Sequence, residues 1–146
     1  MLLFENNYHR TRDFGLLILR VGLGMMFTIH GYPKLMGGQA AWTEVGSVMK
    51  LVGLDFAPTA WGLLAAVAEA VGGQLLAIGL FFRITCVALF ITMIMAAIMH
   101  ISKGDNFGSY SHAVESAFVF LGLLFIGPGR YSLDKLLFPS PRRLYQ

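Results

Sequence analysis

Apolar residues along this chain gather into four long runs, separated by glycine, proline or charged residues. The runs cover about residues 14–31, 58–82, 84–101 and 111–127. A helix that crosses the hydrocarbon core needs about 17–25 residues, and each run supplies that length. The pattern therefore predicts an all-α membrane protein, with residues 1–146 forming a single integral-membrane domain built as a four-transmembrane-helix bundle.

The segments outside the runs differ in character. Residues 1–13 are predicted to form a short polar arm. Residues 35–56 carry alanine and valine at helical spacing with Trp42 beside them, which predicts a short interfacial helix between helices 1 and 2. Arg83 is the one charge between the second and third runs, so a tight turn is expected there.

Basic residues are distributed unevenly between the two ends of the predicted bundle. Arg10, Arg12, Arg83, Arg130, Lys135, Arg142 and Arg143 fall on one side, whereas Lys34, Lys50 and Lys103 fall on the other. Cytoplasmic loops carry the excess of Lys and Arg. The asymmetry therefore predicts a multi-pass protein of the bacterial inner membrane with both termini cytoplasmic.

Composition supports a membrane protein and excludes two other classes. Apolar residues make up 56% of the chain and charged residues only 13%, whereas about a quarter of residues are charged in soluble domains. The net charge of +3 is dispersed, so no basic stripe supports nucleic-acid binding. Cys86 is the only cysteine, which excludes a disulfide or a dithiol redox pair within this chain.

Glu69 stands at the centre of the second apolar run. An ionisable side chain at that depth costs roughly 2.5–3.5 kcal/mol on insertion and by default marks a functional site with a partner. Gly62, Ala66 and Gly73 share its helical stripe, and small residues let helices approach closely. Glu69 is therefore expected to face the bundle, either as a catalytic group or as a structural hydrogen-bonding group.

Arg20 is the predicted partner of Glu69. It shares a stripe with Gly24 and Gly31 on the first helix, and its planar fork can bind a carboxylate through two hydrogen bonds. Counting about 1.5 Å per residue places Glu69 near the midplane and Gln74 closer to the cytoplasm, so these three side chains form an inner polar layer. The alternative for Arg20 is snorkelling to the headgroups.

A second, outer polar layer is predicted near the opposite ends of the helices. It contains His30, His100, His112 and Glu115, and Lys34 falls on the same side. The histidines are either interfacial anchors or site residues, and Glu115 could simply complement the helix dipole in the first turn of the fourth helix. Two histidines at matching depth would also suit haem, or a metal, although the spacing selects no ion and no metal ligands are assigned.

Taken together, these residues resemble the DoxX family of small bacterial inner-membrane proteins over about residues 14 to 137. The marks are Arg20, Gly24, His30-Gly31 and Lys34, then Glu69, Gly72-Gly73 and Gly79 ahead of Arg83, then His100, Glu115 and the run Gly127-Pro128-Gly129-Arg130-Tyr131-Ser132-Leu133-Asp134. The resemblance implies a four-helix membrane protein. Some relatives are linked to a thiosulfate:quinone oxidoreductase, others to thiol or oxidative-stress complexes.

The leading hypothesis is a quinone-linked oxidoreductase component in which Glu69 and Arg20 are catalytic. Glu69 would deliver a proton to the quinone, and Arg20 or a histidine would hydrogen-bond a quinone carbonyl. The remaining substrate- or cofactor-binding candidates are His30, His100, Glu115, Gln74 and Lys34. Without a cysteine pair or a flavin fingerprint, the electrons require a protein partner or an external donor. The alternative is a non-enzymatic membrane scaffold, assembly partner or small transporter.

Overall fold

The computed structural model describes the backbone of residues 2–138 and the side chains of residues 10–138. The helices are α1 (Leu2–Met36), α2 (Gly38–Gly46), a 3-10 helix (Ser47–Val52), α3 (Pro58–Ile78), α4 (Phe82–Ser102), α5 (Phe107–Ile126) and α6 (Leu133–Leu137). Within this part of the chain, four helices are long and apolar enough to cross a membrane: residues 10–36 of α1, α3, α4 and α5. The predicted fold class is confirmed.

The first helix is longer than the predicted span at both ends. The described part of the predicted polar arm is helical from Leu2 onward and is continuous with the first span. At the other end α1 continues beyond Gly31 and through Pro33 to Met36. A proline inside a helix removes one backbone hydrogen bond, yet the helix persists and carries Lys34 in its last turn.

Local backbone chemistry explains the remaining helix ends. Gly79 (φ 71°) and Phe81 (φ 48°) adopt left-handed conformations and separate α3 from α4. Glycine commonly ends helices in this way because it has no Cβ to collide with the backbone. Arg83 consequently lies in the first turn of α4. The start of α5 is set by Asn106, whose side chain accepts a hydrogen bond from the backbone N–H of Ser109 at 3.2 Å.

Helices α1 and α3 pack against each other in antiparallel orientation through glycines. A Cβ atom on Gly24 would collide with the carbonyl oxygen of Gly73, and one on Gly31 would collide with the backbone nitrogen of Ala70. Neither backbone can move without displacing its helix. The small-residue stripe predicted on the second span is therefore a packing face.

The helix predicted between the first two spans is α2, and it packs along the first half of α3. A Cβ atom on Gly46 would collide with the carbonyl oxygen of Pro58, and one on Gly62 would collide with that of Trp42. These two contacts run in opposite directions along the two helices, so α2 is antiparallel to α3, as α1 is. The 3-10 helix follows directly and ends at Gly53 (φ 84°).

The apolar core lies between α3, α4 and α5. Its fully buried side chains include Leu76, Phe82, Cys86, Leu89, Phe120 and Leu123. The ring of Phe27 meets that of Phe120 edge-on with centroids 4.8 Å apart, which joins α1 to α5. Large apolar residues also cover the outside of the bundle, as at Phe118 and Phe125. Such an exterior is suited to lipid rather than water.

One end of the bundle is closed by the segment that follows α5. The carboxylate of Asp134 accepts hydrogen bonds from the backbone N–H groups of Phe81 and Phe82 at 2.8 and 2.9 Å. The backbone N–H of Asp134 donates to the carbonyl of Gly79 at 2.9 Å. The α3–α4 turn and the beginning of α6 are thereby held together.

Candidate functional site

A cavity of about 280 Å³ lies between α3 and α4 beneath α2 and the 3-10 helix. Most of its lining is apolar, and the lining residues are Lys34, Val45, Gly46, Val48, Met49, Trp61, Leu64, Ala65, Ala68, Glu69, Ala88, Ile91, Thr92, Met95, Ala96 and Met99. Lys34 and Glu69 are the only charged members of this set. The cavity thus combines an apolar interior with one ion pair in its wall.

Lys34 and Glu69 form that ion pair through two hydrogen bonds. The ammonium of Lys34 donates to both carboxylate oxygens of Glu69, at 2.8 and 2.7 Å. The side chain of Glu69 is 3% exposed, whereas that of Lys34 is 40% exposed. The pair therefore connects a buried carboxylate at the cavity wall to the outer surface of the protein.

Helix packing holds the two charged groups in register. Gly31 is in close contact with the backbone around Glu69 and Ala70, which places the last turn of α1 beside the middle of α3. The indole N–H of Trp42 donates to the carbonyl of Lys34 at 3.0 Å. This hydrogen bond satisfies one of the free carbonyls at the end of α1 and ties α2 to it.

The cavity has a mouth on the outer face of the bundle. Leu64 and Ile91 both line it, yet they are 59% and 54% exposed. Ile91 comes from the middle of α4 and Leu64 from the second turn of α3, and both positions lie within the length that hydrocarbon surrounds in a spanning bundle. An apolar molecule dissolved in the membrane can therefore reach the Lys34–Glu69 pair laterally, without crossing water.

Trp61 contributes an unused hydrogen-bond donor to the cavity wall. Its indole nitrogen is buried and has no acceptor among the described residues. Buried polar groups are nearly always hydrogen-bonded, and an exception requires an explanation. A ligand acceptor would provide one.

The predicted Arg20–Glu69 pair is wrong. Arg20 is buried, but its guanidinium donates to the carbonyl oxygens of Pro128 and Tyr131, each at 2.5 Å. It lies against Gly79, ten residues beyond Glu69 on α3, which is about 15 Å at 1.5 Å per residue. The prediction failed because it did not include the α1–α3 register, which places Lys34 rather than Arg20 beside Glu69.

Gln74 does not share a layer with Glu69 either. Its side chain is on the exposed face of α3, where it lines a shallow apolar groove with Gly24, Thr28 and Ile78. The predicted inner layer of Arg20, Gln74 and Glu69 is therefore separated into three different environments.

The predicted outer layer is likewise divided. The imidazole Nδ1 of His30 lies 2.8 Å from the carbonyl of Met26, and its ring centroid is 6.4 Å from that of His112. His100 instead pairs with Asp105, with Nδ1 and the carboxylate 2.7 Å apart. None of these side chains lines the cavity. The structure therefore brings His30 and His112 together from two helices, whereas His100 pairs with Asp105.

Glu115 lies deeper in α5 than predicted. Because α5 begins at Phe107, Glu115 occupies its third turn rather than its first, beyond the range of the helix dipole. Its side chain is exposed and does not line the cavity. Among residues 10–138, no group of three or more His, Cys, Asp and Glu side chains is placed to hold a metal ion.

Several cavity residues were not identified from the sequence. Met95 and Met99 line the cavity, and the indole N–H of Trp42 binds the end of α1 beside it; the sequence predicted neither contact. The sequence did contain a signal for the contact between α1 and α3. The spacing of Gly24 and Gly31 on α1 matches the spacing of the small residues on α3. Aligning those glycines antiparallel brings Lys34 close to Glu69.

The fold and the site define a class of protein: a small multi-pass membrane protein with a buried ion pair at the wall of an apolar cavity. The DoxX family profile matches residues 15–101, more than half of the chain, and the chain belongs to this family. Every residue that lines the cavity falls within the matched region. The protein is a multi-pass inner-membrane protein in contact with lipid.

Three relatives are similar along nearly their whole length. Inner membrane protein YphA of Escherichia coli (strain K12) is 31% identical over 144 residues, covering 88% of this chain and 99% of the relative. An uncharacterized protein of Haemophilus influenzae (strain ATCC 51907 / DSM 11121 / KW20 / Rd) is 32% identical over 146 residues, covering 91% and 98%. Putative oxidoreductase CatD of Bacillus subtilis (strain 168) is 28% identical over 134 residues, covering 92% and 95%. No solved structure matches this chain.

Proposed function

We propose that this protein is a component of a membrane oxidoreductase and that its cavity binds the head group of a quinone. The observation that carries the proposal is the Lys34–Glu69 ion pair at the wall of an apolar cavity whose mouth lies on the hydrocarbon-facing side of the bundle. The name of one relative, putative oxidoreductase CatD, agrees with a redox role.

The chemistry of quinone reduction matches these two side chains. A quinone takes up two electrons and two protons to become a quinol, and negative charge develops on its carbonyl oxygens. The ammonium of Lys34 can donate a hydrogen bond to a carbonyl and stabilise that charge. Because Glu69 is ionised in this pair, it would first take up a proton from water along the exposed side of Lys34 and then transfer it to the same oxygen. The second proton would follow by the same route.

The electrons must come from outside this chain. Its only cysteine, Cys86, is fully buried in the core, so it cannot exchange disulfides with a soluble donor. A protein partner or a soluble reductant would deliver the electrons to the quinone. The proposed quinone site does not include five of the residues predicted from the sequence: Arg20, His30, His100, Glu115 and Gln74.

The size of the cavity is suited to the ring of a quinone rather than to the whole molecule. Ligand sites generally have volumes of about 300–1,000 Å³, and this cavity is at the lower end with about 280 Å³. The ring would occupy the cavity beside Lys34, and the isoprenoid tail would leave between Leu64 and Ile91. Trp61 would gain an acceptor if a quinone oxygen or a bound water reached its N–H.

Binding can be tested on the purified protein in detergent. Ubiquinone-1 is titrated while tryptophan fluorescence is recorded, because Trp61 lines the cavity. We expect saturable quenching in the wild type and a loss of at least tenfold in affinity for Ala65→Leu, which fills the cavity. Ala60→Leu, on the exposed face of the same helix, is the matched control. Equal affinity in all three proteins would exclude the cavity as the quinone site.

Turnover separates a redox role from simple binding. Membranes from a deletion strain carrying the wild-type or variant gene are supplied with ubiquinone-1 and with cell extract as the source of the donor. Glu69→Gln should abolish the quinone reduction that depends on this protein, whereas Gln74→Leu, which removes an exposed polar group from the same helix, should retain it. Wild-type rates in Glu69→Gln would contradict the proposal.

A further inference from the structure

A basic groove lies at the end of the bundle where α1, α4 and the α5–α6 segment meet. Its volume is about 670 Å³. Four cationic side chains line it, each from a different element: Arg12 from α1, Arg83 from α4, Arg130 from the α5–α6 segment and Lys135 from α6. The fold, rather than the local sequence, therefore concentrates positive charge at this place.

The charge of this groove is only partly neutralised. Asp13 is the one acidic residue in its lining, and its carboxylate lies 3.5 Å from the guanidinium of Arg12. Among residues 10–138, no ion pair is formed by Arg83, Arg130 or Lys135, and all three are exposed. The nearby carboxylate of Asp134 is occupied by the backbone N–H groups at the start of α4. The basic groove thus retains a net positive charge that is available to an anion.

Exposed apolar side chains adjoin the basic groove. Ile126 and Leu136 belong to its own lining. A neighbouring groove of about 470 Å³ shares Arg83, Pro128 and Lys135 with it and is otherwise lined by Phe81, Phe82, Ile84, Asp134 and Phe138. Ile84 begins the apolar surface of α4 and Ile126 ends that of α5, so the basic groove lies at the boundary where headgroups meet hydrocarbon.

We propose that the basic groove is a binding site for an anionic phospholipid. The phosphate would contact the guanidinium groups of Arg83 and Arg130, since arginine binds phosphate through paired hydrogen bonds. The ammonium of Lys135 would add a third contact. The acyl chains would lie along Ile84 and Ile126 on the outer face of the bundle. The basic groove shares no lining residue with the Lys34–Glu69 cavity, and it does not depend on the proposed redox function.

Native mass spectrometry of the full-length protein in detergent tests the proposal. Phosphatidylglycerol and phosphatidylcholine with identical acyl chains are titrated separately. We expect saturable binding of phosphatidylglycerol and much weaker binding of phosphatidylcholine. The Arg83→Gln/Lys135→Gln variant should lose on the order of 30-fold in affinity for phosphatidylglycerol, because each basic residue near an anionic lipid contributes about 1 kcal/mol.

The matched control removes two charges at the opposite end of the bundle, through Lys50→Gln/Lys103→Gln, and should bind like the wild type. If the groove variant does not fold, Arg130→Gln alone provides the same comparison with an expected loss of about fivefold. Equal binding of both lipids, or unchanged binding in the groove variants, would overturn the proposal. Displacement of phosphatidylglycerol by free glycerol phosphate would also overturn it, because that result identifies a site for soluble phosphates.

Discussion

At the scale of single residues, two cations bind buried partners of different kinds: Lys34 is partly exposed, whereas Arg20 is fully buried. Lys34 reaches a carboxylate, whereas Arg20 reaches two backbone carbonyls. A buried charge is costly unless its hydrogen bonds are satisfied. Each cation therefore stabilises the bundle only in combination with its own partner, and the two should respond differently to mutation.

Removal of Lys34 should be strongly destabilising. In Lys34→Met the carboxylate of Glu69 remains buried without its partner, and the free energy of unfolding should fall by about 3 kcal/mol. The double variant Lys34→Met/Glu69→Leu removes both charges and should recover most of that loss. Unfolding of the wild type, the two single variants and the double variant in mixed detergent measures the coupling. Additive effects would show that the pair contributes no coupling energy.

Arg20→Lys should damage stability without changing quinone binding. A lysine cannot reach the carbonyls of both Pro128 and Tyr131, and hydrogen bonds to charged donors contribute about 1.5–3 kcal/mol each. We expect a fall of about 2 kcal/mol in the free energy of unfolding and an unchanged affinity for ubiquinone-1. If the variant folds but no longer binds ubiquinone-1, Arg20 contributes to the quinone site and the prediction is wrong.

At the scale of helices, two glycines set the position of α2 and the 3-10 helix, which cover the cavity. Gly46 and Gly62 let the backbones of α2 and α3 touch, with a carbonyl oxygen facing each glycine Cα. Since α2 carries Val45 and leads into Val48 and Met49, this contact holds the side chains that cover the cavity. The geometry of the site therefore depends on residues that do not line its polar part.

Gly62→Ala should push α2 away from α3. The new Cβ would meet the carbonyl oxygen of Trp42, which is backbone and cannot turn aside. We expect a loss of about 1–3 kcal/mol in stability, as in other overpacked contacts, together with weaker binding of ubiquinone-1. Gly122→Ala in α5 has nothing within 4 Å of its new Cβ and should gain about 0.5–1 kcal/mol. Thermal unfolding in detergent compares the two, and equal melting temperatures would contradict the packing argument.

The helices were predictable because each span carries its own apolar run, whereas the contacts between helices were not. Run length identifies α3 and α4 without knowledge of any neighbour. The pairing of Lys34 with Glu69 instead depends on the α1–α3 register and on a helix that continues through Pro33. Both charged residues were among the predicted site residues, but Arg20 was assigned as the partner because its stripe contains glycines too.

At the scale of the whole molecule, the two ends of the bundle differ in how their positively charged residues are arranged. The end closed by Asp134 carries the basic groove, whereas Lys34, Lys50 and Lys103 belong to segments at the other end. The positive-inside rule predicts that the basic groove faces the cytoplasm. The orientation remains a prediction.

Cysteine labelling in intact cells tests this orientation. Cys86 is fully buried, and its replacement by serine leaves a cysteine-free background. A membrane-impermeant maleimide should label Lys103→Cys in intact cells, and it should label Arg130→Cys only after the cells are opened. The reverse pattern would place both termini outside.

The contacts of Arg20 also bear on how the protein is made. Arg20 belongs to the first span to leave the ribosome, but its acceptors at Pro128 and Tyr131 follow 108 and 111 residues later. Until they emerge, α1 carries an unpartnered guanidinium, and a charged side chain without a partner is costly within the bilayer. We therefore expect α1 to pack stably only after the segment that follows α5 has been synthesised. A nascent chain released before residue 128 lacks both acceptors of Arg20, and it should be a substrate for membrane quality control.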